Sequence, residues 1–423
     1  MARFLSPRFI GPVLIGMGCH YVGQFAASPE NHSIFSSYTS KTTGTSLPPL
    51  VAFAAGTRLG NFLDWLARSA KPPNIALFGM INGHQQTQAV KVFAKLRMAE
   101  ALEAHATGGD RRADVLDVAS AVGADPEALR RLLRFLAASG LVDSDGDPST
   151  TRFGNTPASR YLLKEAEGSL WGAAVLDDHF EGWLNLEASV TKGAGTVAFD
   201  DRFGMPIFDY YAKHPDTEQA FAHFMSGISM GPNAAIAASG YDFGANCRAI
   251  ADVGGGHGSL LAEIVSAFPS LAGRATVVDL EGVVSTAPAR DGVAFAAGDM
   301  FDPARLPQGG GVNCYALKVV LHDWSDEQAI KILVAVRAAL RAAGVDPRRA
   351  RLLLAEQVLR AGDPLGAAKA ALDVNMMVMC GGKERTQPEW AALLRAAGWT
   401  LARAYATRSV FTLMEAYPAD AHE

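Results

Sequence analysis

The residues best suited to chemistry begin at Asp252-Val253-Gly254-Gly255-Gly256-His257-Gly258, a glycine-rich turn directly behind the short apolar run RAIADV. Glycine has no side chain, so such a turn lets the backbone approach a ligand closely, and a nucleotide-like cofactor is implied. A dinucleotide site of GxGxxG type, counted from Gly254 and Gly256, would need a third glycine at 259, where the chain has Ser259. The acid that closes the next apolar run, Asp279 in VVDL, lies 25 residues after Gly254 and is placed to accept hydrogen bonds from ribose hydroxyls. Turn and acid together suit adenosyl cofactors generally. AGDMFDP then puts Asp299 and Met300 at a third strand end, one polar group and one soft apolar side chain fitted to the edge and face of an adenine. LKVVLHDWSD follows, with His322 beside Asp323.

These residues need a scaffold, and from about residue 246 the chain supplies one. RAIADVGG, RATVVDL, VNCYALKVVL and RARLLLAEQVL read as strands, with SLLAEIVSAF and EQAIKILVAVRAAL as helices between them. Strands alternating with helices predict βαβ units and a Rossmann-like, doubly wound α/β sheet, which binds ligands beyond the carboxyl ends of its strands. Four regions are expected: a leader over 1–70, a winged-helix-like dimerisation domain over 71–167, a helical linker and substrate-lining region over 168–245, and the cofactor-binding catalytic domain over 246–423. In the second, residues 115–143 read as helix, turn, helix, with Asp125 capping a helix that starts at Pro126. A turn-rich stretch behind them completes a winged-helix pattern. DNA recognition is disfavoured, because Arg130, Arg131 and Arg134 are few for a groove-reading helix and Lys+Arg 38 against Asp+Glu 43 gives a net charge of −5.

Up to Asp64 the only acidic residue is Glu30, and Ser and Thr cluster from Ser28 to Ser46, a transit-peptide composition. The expected location is intracellular, with a mitochondrion or chloroplast as the destination such a leader serves and the cytoplasm otherwise. The apolar run Phe9–Met17 contains Pro12 and is too short to span a membrane. Cys19, Cys247, Cys314 and Cys380 are scattered, which suggests neither a disulfide framework nor a structural metal site.

The ordered strings DVGGGHG (252–258), VVDL (277–280), GDMF (298–301), LKVVLHDWSDEQAIKIL (317–333), LLLAEQVL (352–359) and GGKERT (381–386) resemble the S-adenosylmethionine-dependent O-methyltransferases that include plant caffeic-acid-type enzymes and bacterial polyketide and carotenoid methyltransferases. The resemblance covers about residues 75–417. It implies S-adenosylmethionine as methyl donor without a metal, a small-molecule acceptor, and a homodimer formed through the N-terminal helices. Carried over by position, Gly254, Asp279 with Leu280, Asp299, Met300 and Lys318 become cofactor contacts. His322 becomes the catalytic base, with Asp323, Glu356 and Glu384 around it.

Methyl transfer from a sulfonium is an in-line displacement, so alignment of the nucleophile is the first requirement. A phenol-type hydroxyl has a pKa of about 10, and a neutral imidazole held against it can take its proton as the new bond forms. The substrate segment departs from the plant pattern: LDVNMMVMCGGKERT places Asn375 and Met379 with polar and apolar roles exchanged, which argues against a flat phenylpropanoid acceptor. Met376, Met377, Phe221, Phe224 and Met225 are candidate lining residues or plain core. A thioether acceptor, 4-methylthio-2-hydroxybutyrate on the route to dimethylsulfoniopropionate, is the alternative, and there His322 would only bind substrate. An NAD-type oxidoreductase is the remote alternative, against which Ser259 stands.

Overall fold

The computed structural model describes residues 37–422, apart from 45 and 194. They form two compact units. One runs from Leu66 to Met230 and takes in Met377–Gly381; the other joins the described residues up to Trp65 to Gly231–Met376 and to the described residues from Gly382 onward.

The transit-peptide reading concerns mainly residues 1–36, which lie outside the described residues. Residues 37–70, assigned to the same leader, carry regular structure. Strands β1 (Tyr38–Thr39) and β2 (Ser46–Leu47) pair antiparallel, and a helix spans Leu50–Ser69. The ribbon is anchored by polar contacts to the buried Glu263: the Tyr38 hydroxyl donates to its Oε1 at 2.9 Å, Ser40 Oγ to its Oε2 at 2.7 Å, and Thr42 bonds the same carboxylate. Composition signals what a segment is rich in, not whether a distant carboxylate will hold it.

In the helical unit the local signals hold. Asp125 caps the helix Pro126–Ala138 by accepting from the Ala128 N–H at 2.8 Å, with Pro126 in the first turn. Leu129, Leu133 and Leu136 share one face of that helix and are buried with Phe93, Met98, Leu102 and Phe153. Strands β3 (Ala113–Asp114), β4 (Val142–Asp143) and β5 (Arg152–Asn155) make a small antiparallel sheet in the order β3-β5-β4, the wing. Arg130 pairs with Glu127 at 2.9 Å, and Arg130 and Arg134 donate to the Pro148 carbonyl at 3.3 Å, so these cations serve their own domain. Residues 168–230, read as a separate linker, belong to this same unit. Gly172 lies against the Ala220 carbonyl and Gly227 against that of Ser169, close approaches that any larger side chain would block.

The catalytic unit is built on strands β6 (Ile250–Val253), β7 (Ala275–Asp279), β8 (Val293–Ala297), β9 (Cys314–Lys318), β10 (Arg351–Leu359), β11 (Arg385–Thr386), β12 (Trp399–Ala406) and β13 (Phe411–Pro418). Their order is β12-β13-β10-β9-β6-β7-β8, with β11 beside β10. The run from β10 to β8 is parallel, and β13 and β12 close one edge antiparallel. The central strands are buried along their length, which is why they read as continuous apolar runs. Two tryptophans complete the core with their ring N–H groups satisfied, Trp390 to the Gln357 carbonyl at 2.9 Å and Trp399 to that of Leu333 at 3.0 Å.

The expectation that the cysteines do not pair is corrected here. Cys247 and Cys314 form a disulfide with Cα atoms 5.5 Å apart, although 67 residues separate them in sequence. Cys247 sits just ahead of β6 and Cys314 opens β9, and the pairing of β6 with β9, Ile250 opposite Cys314, brings them together.

Candidate active site

The glycine turn leaves the end of β6 with Gly254 at φ +71°, a conformation that side chains rarely adopt. A Cβ at Gly254 would lie 2.8 Å from Val320 Cγ2 and 3.8 Å from Met300 Cε, so the turn packs directly on the segment that carries His322 and on the candidate adenine residue. The position a Cβ would take at Gly256 has no atom within 4 Å, which leaves room for a ligand. Asp279 Oδ2 accepts from the Gly256 N–H at 2.8 Å and Oδ1 from the Leu280 N–H at 2.8 Å. A carboxylate has about four acceptor sites, so Asp279 can hold the turn and still accept from a diol. Leu280 has an exposed side chain. Asp299 accepts from the Phe301 N–H at 2.9 Å and so shapes the turn that presents Met300.

Lys318, at the end of β9, is electrostatically tied to Asp252 at the end of β6. Burial pushes the Asp252 carboxyl up to about 7; the Lys318 charge opposes that rise and the Asp279 charge adds to it. Burial likewise pulls the Lys318 ammonium down, against the charges of Asp252 and Glu356. Asp252 was not singled out from the sequence, where it reads as one more residue of the strand end.

His322 lies in a short turn, Leu321–Asp323, and is 3% exposed. Its Nδ1 is 2.8 Å from Glu384 Oε1 and its Nε2 is 3.4 Å from Asp323 Oδ1. Glu356, fully buried, accepts from the N–H groups of Val320 at 3.0 Å and Leu321 at 2.9 Å. Burial alone would lower the imidazole pKa, but the carboxylates of Asp323, Glu356 and Glu384 outweigh it and raise it to about 9. Burial also pushes Glu356 up to about 7. His322 and the three carboxylates expected around it, Asp323, Glu356 and Glu384, are therefore brought together.

What holds this turn was missed. Arg385, fully buried, donates to the carbonyls of Leu321 at 3.0 Å and Trp324 at 2.9 Å and to Asp326 Oδ1 at 2.9 Å, and its guanidinium lies 5.0 Å from the centre of the Trp390 ring. Lys383 N–H donates to the His322 carbonyl at 2.9 Å, and Gly382 lies so close to that carbonyl that a Cβ would collide with it. The sequence carries the signal in GGKERT, where a glycine and an arginine flank Glu384. Val319, at φ +57°, is a β-branched residue in the left-handed region at the turn's entry.

The candidate lining residues divide. Phe221, Phe224, Met225, Met377 and Met379 belong to the helical unit, where Phe221 stacks on His179 at 5.9 Å and lies tilted against Tyr211 at 4.8 Å, and Met379 Sδ lies 3.3 Å from where a Cβ at Gly182 would be. Asn375 and Met376 belong to the catalytic unit. Among the described residues, no group of three or more His, Cys, Asp or Glu is disposed to hold a metal ion.

An O-methyltransferase domain profile matches residues 183–400, and an O-methyltransferase dimerisation domain profile matches 78–165. A phenazine O-methyltransferase of Lysobacter antibioticus is 31% identical over 358 residues, covering 82% of this chain and 97% of its own. The solved structure of a mitomycin 7-O-methyltransferase superimposes with a TM-score of 0.71 at 27% identity, over 84% of this chain and 99% of the other. An O-methyltransferase from neocarzinostatin biosynthesis, solved with S-adenosylmethionine and 2-hydroxy-5-methyl naphthoic acid, superimposes with a TM-score of 0.62 at 29% identity, over 79% and 96% of the two chains.

Proposed function

Since the chain belongs to the S-adenosylmethionine-dependent O-methyltransferase family, we propose that His322 is the general base by which it takes a proton from the hydroxyl of a small aromatic acceptor. The observation that carries this is the buried His322–Glu384 pair on a turn packed against the glycine loop. When bound, S-adenosylmethionine supplies an electrophilic methyl group. Gly254 and Gly256 would pass its backbone-facing edge, Asp279 would accept from its ribose, Asp299 and Met300 would meet its adenine, and Lys318, tied to Asp252, would complete the pocket. The relatives named above are O-methyltransferases, and nothing in the site favours a thioether acceptor.

The three carboxylates around His322 have a quantitative consequence. Taking a proton from a phenol of pKa about 10 onto an imidazole of ordinary pKa about 6.5 costs about 5 kcal/mol, at 1.36 kcal/mol per unit. With the imidazole at about 9 the cost falls to about 1 kcal/mol. Glu384, on Nδ1, fixes the ring, and Nε2, 3.4 Å from Asp323 Oδ1, is the nitrogen that would take the proton. The test is transfer of labelled methyl from S-adenosylmethionine to a panel of phenols, hydroxynaphthoates and small thioethers; turnover confined to thioethers would overturn the proposal.

Asp279→Ala is expected to weaken S-adenosylhomocysteine binding by ~1.5–3 kcal/mol, the worth of a charge-assisted hydrogen bond together with the lost anchor on Gly256. Titration calorimetry checks it, and an unchanged affinity would remove Asp279 from the cofactor site.

The dimerisation-domain match supports a homodimer. The apolar residues between Ile75 and Leu102 divide: Phe93, Met98 and Leu102 are buried in their own domain, while Ile75, Leu77, Phe78, Met80 and Ile81 of the helix Pro73–Ile81 are exposed and available to a second copy. Light scattering at micromolar concentration should give twice the chain mass; a monomer would contradict it.

A further inference from the structure

The catalytic groups stand at the carboxyl ends of the strands. At the opposite end, where β6, β7, β9 and β10 begin, a cleft of about 650 Å³ is lined by Arg248, Arg274, Arg348, Arg349 and Arg351. The one acid in its lining is Asp346. On a chain of net charge −5, five guanidinium groups around one cavity against one carboxylate are a local reversal of the overall charge.

Two of the five are committed. Arg348 pairs with Asp346 at 3.0 Å, and Arg351 pairs with Glu415 at 3.1 Å. The side chains of Arg248, Arg274 and Arg349 make no ion pair or hydrogen bond among the described residues, whereas their main chains are hydrogen-bonded: the Arg274 carbonyl accepts from the Ile250 N–H at 2.9 Å and the Arg349 N–H donates to the Asp346 carbonyl at 2.8 Å. The organiser is the buried Asn313: its Oδ1 accepts from the N–H groups of Arg248 at 2.7 Å and Ala249 at 3.4 Å, and its Nδ2 donates to the carbonyls of Asn246 at 3.0 Å and Arg349 at 2.8 Å. The Cys247–Cys314 disulfide joins the residues next to Arg248 and Asn313. Three uncommitted cations thus rise from a braced frame that spans three separate chain segments.

We propose that this cleft is a second ligand site, which binds a small molecule through a chain of phosphate groups. Guanidinium forks match phosphate oxygens and are held weakly enough by water to exchange it for them. Three cations spread around one cavity fit several linked phosphates better than a single carboxylate, and the volume is that of a nucleotide-sized ligand. The site is separate from the methyl-transfer site: Arg274 precedes β7 and Asp279 ends it, five residues later, a strand length of roughly 16 Å.

Calorimetry on the full chain at about 0.1 M salt, with tripolyphosphate and with ATP as probes, tests this. Saturable binding at submillimolar concentration is expected for both, and tighter binding of ATP would mean that the cleft also recognises the nucleoside. Substitution of Arg248→Ala, Arg274→Ala and Arg349→Ala together should weaken it about 10- to 100-fold, a factor of about 2–5 for each exposed cation. Methyl transfer and thermal stability should stay as in wild type. A control with Arg131→Ala, Arg360→Ala and Arg395→Ala removes equal charge elsewhere and should bind as wild type does. The proposal is overturned by failure of both probes to saturate below a millimolar, by equal losses in the two triple variants, or by a short DNA duplex competing for the same arginines more tightly than either probe. If the triple variant is unstable, Arg274→Gln alone should still cost a factor of about 2–5, and wild-type affinity in that variant would equally refute the site.

Discussion

His322→Gln is expected to bind S-adenosylhomocysteine as wild type does and to transfer methyl about 10²–10⁴ times more slowly, the usual worth of a positioned general base. Glutamine keeps the side chain polar and of similar reach, so it can fill the site beside Glu384 without removing a proton from the acceptor. The wild-type pH profile carries a second signature. The raised imidazole pKa means that the base form is scarce at neutral pH, and the rate should climb about tenfold per pH unit from 6, bend at about 9 and level off above it. Glu384→Gln removes one of the charges that raise it, so the plateau should move to lower pH while cofactor affinity holds. A purely structural role for Glu384 would lower the rate without moving the profile. Single-turnover transfer against pH for the three proteins decides it, and a His322→Gln variant with near wild-type rates on a hydroxyl acceptor would remove His322 as base.

Arg385→Ala is expected to destabilise the protein by about 3–5 kcal/mol, because a fully buried guanidinium with two carbonyl partners is lost and a void opens in its place, while its half-exposed partner Asp326 keeps Lys383. The deletion takes the Arg385 donor from the Trp324 carbonyl, leaves the Leu321 carbonyl only the long 3.4 Å bond from the Trp324 N–H, and opens a void against Trp390. Both carbonyls flank His322, so the residual folded enzyme should also lose rate. Arg385→Lys keeps the charge but concentrates its donors on one compact ammonium instead of a planar fork that spans Leu321, Trp324 and Asp326, and should recover only part of either loss. Thermal unfolding and single-turnover transfer measure the two effects; a melting point within a degree or two of wild type would show that the turn holds itself.

Most of the cofactor loop and the helix starts could be read from the chain because their causes are local. The Gly254 turn follows from residues adjacent in sequence, and Asp125 caps a helix whose first N–H groups lie three residues away. The parallel strands of the catalytic unit are legible one by one for the same reason, since each is its own buried apolar run, but their order in the sheet is not. The helical residues 168–230 were visible as helices, yet their membership of the dimerisation unit depends on packing that no local pattern records.

By itself, then, the chain determined the βαβ architecture, the glycine turn, the strand-end acids and the positions of His322 and its carboxylates, each set by periodicity or by an ordered string of neighbouring residues. Only the tertiary structure decided that Cys247 meets Cys314, that Asp252 shares its field with Lys318, that residues 38–42 dock on Glu263, and that Arg385 grips the His322 turn from about sixty residues away. Each of these pairs is made when separate segments reach register in one sheet or meet at its ends. Contacts of that kind depend on strand order and crossover geometry, for which the residue types at the two ends carry no local mark.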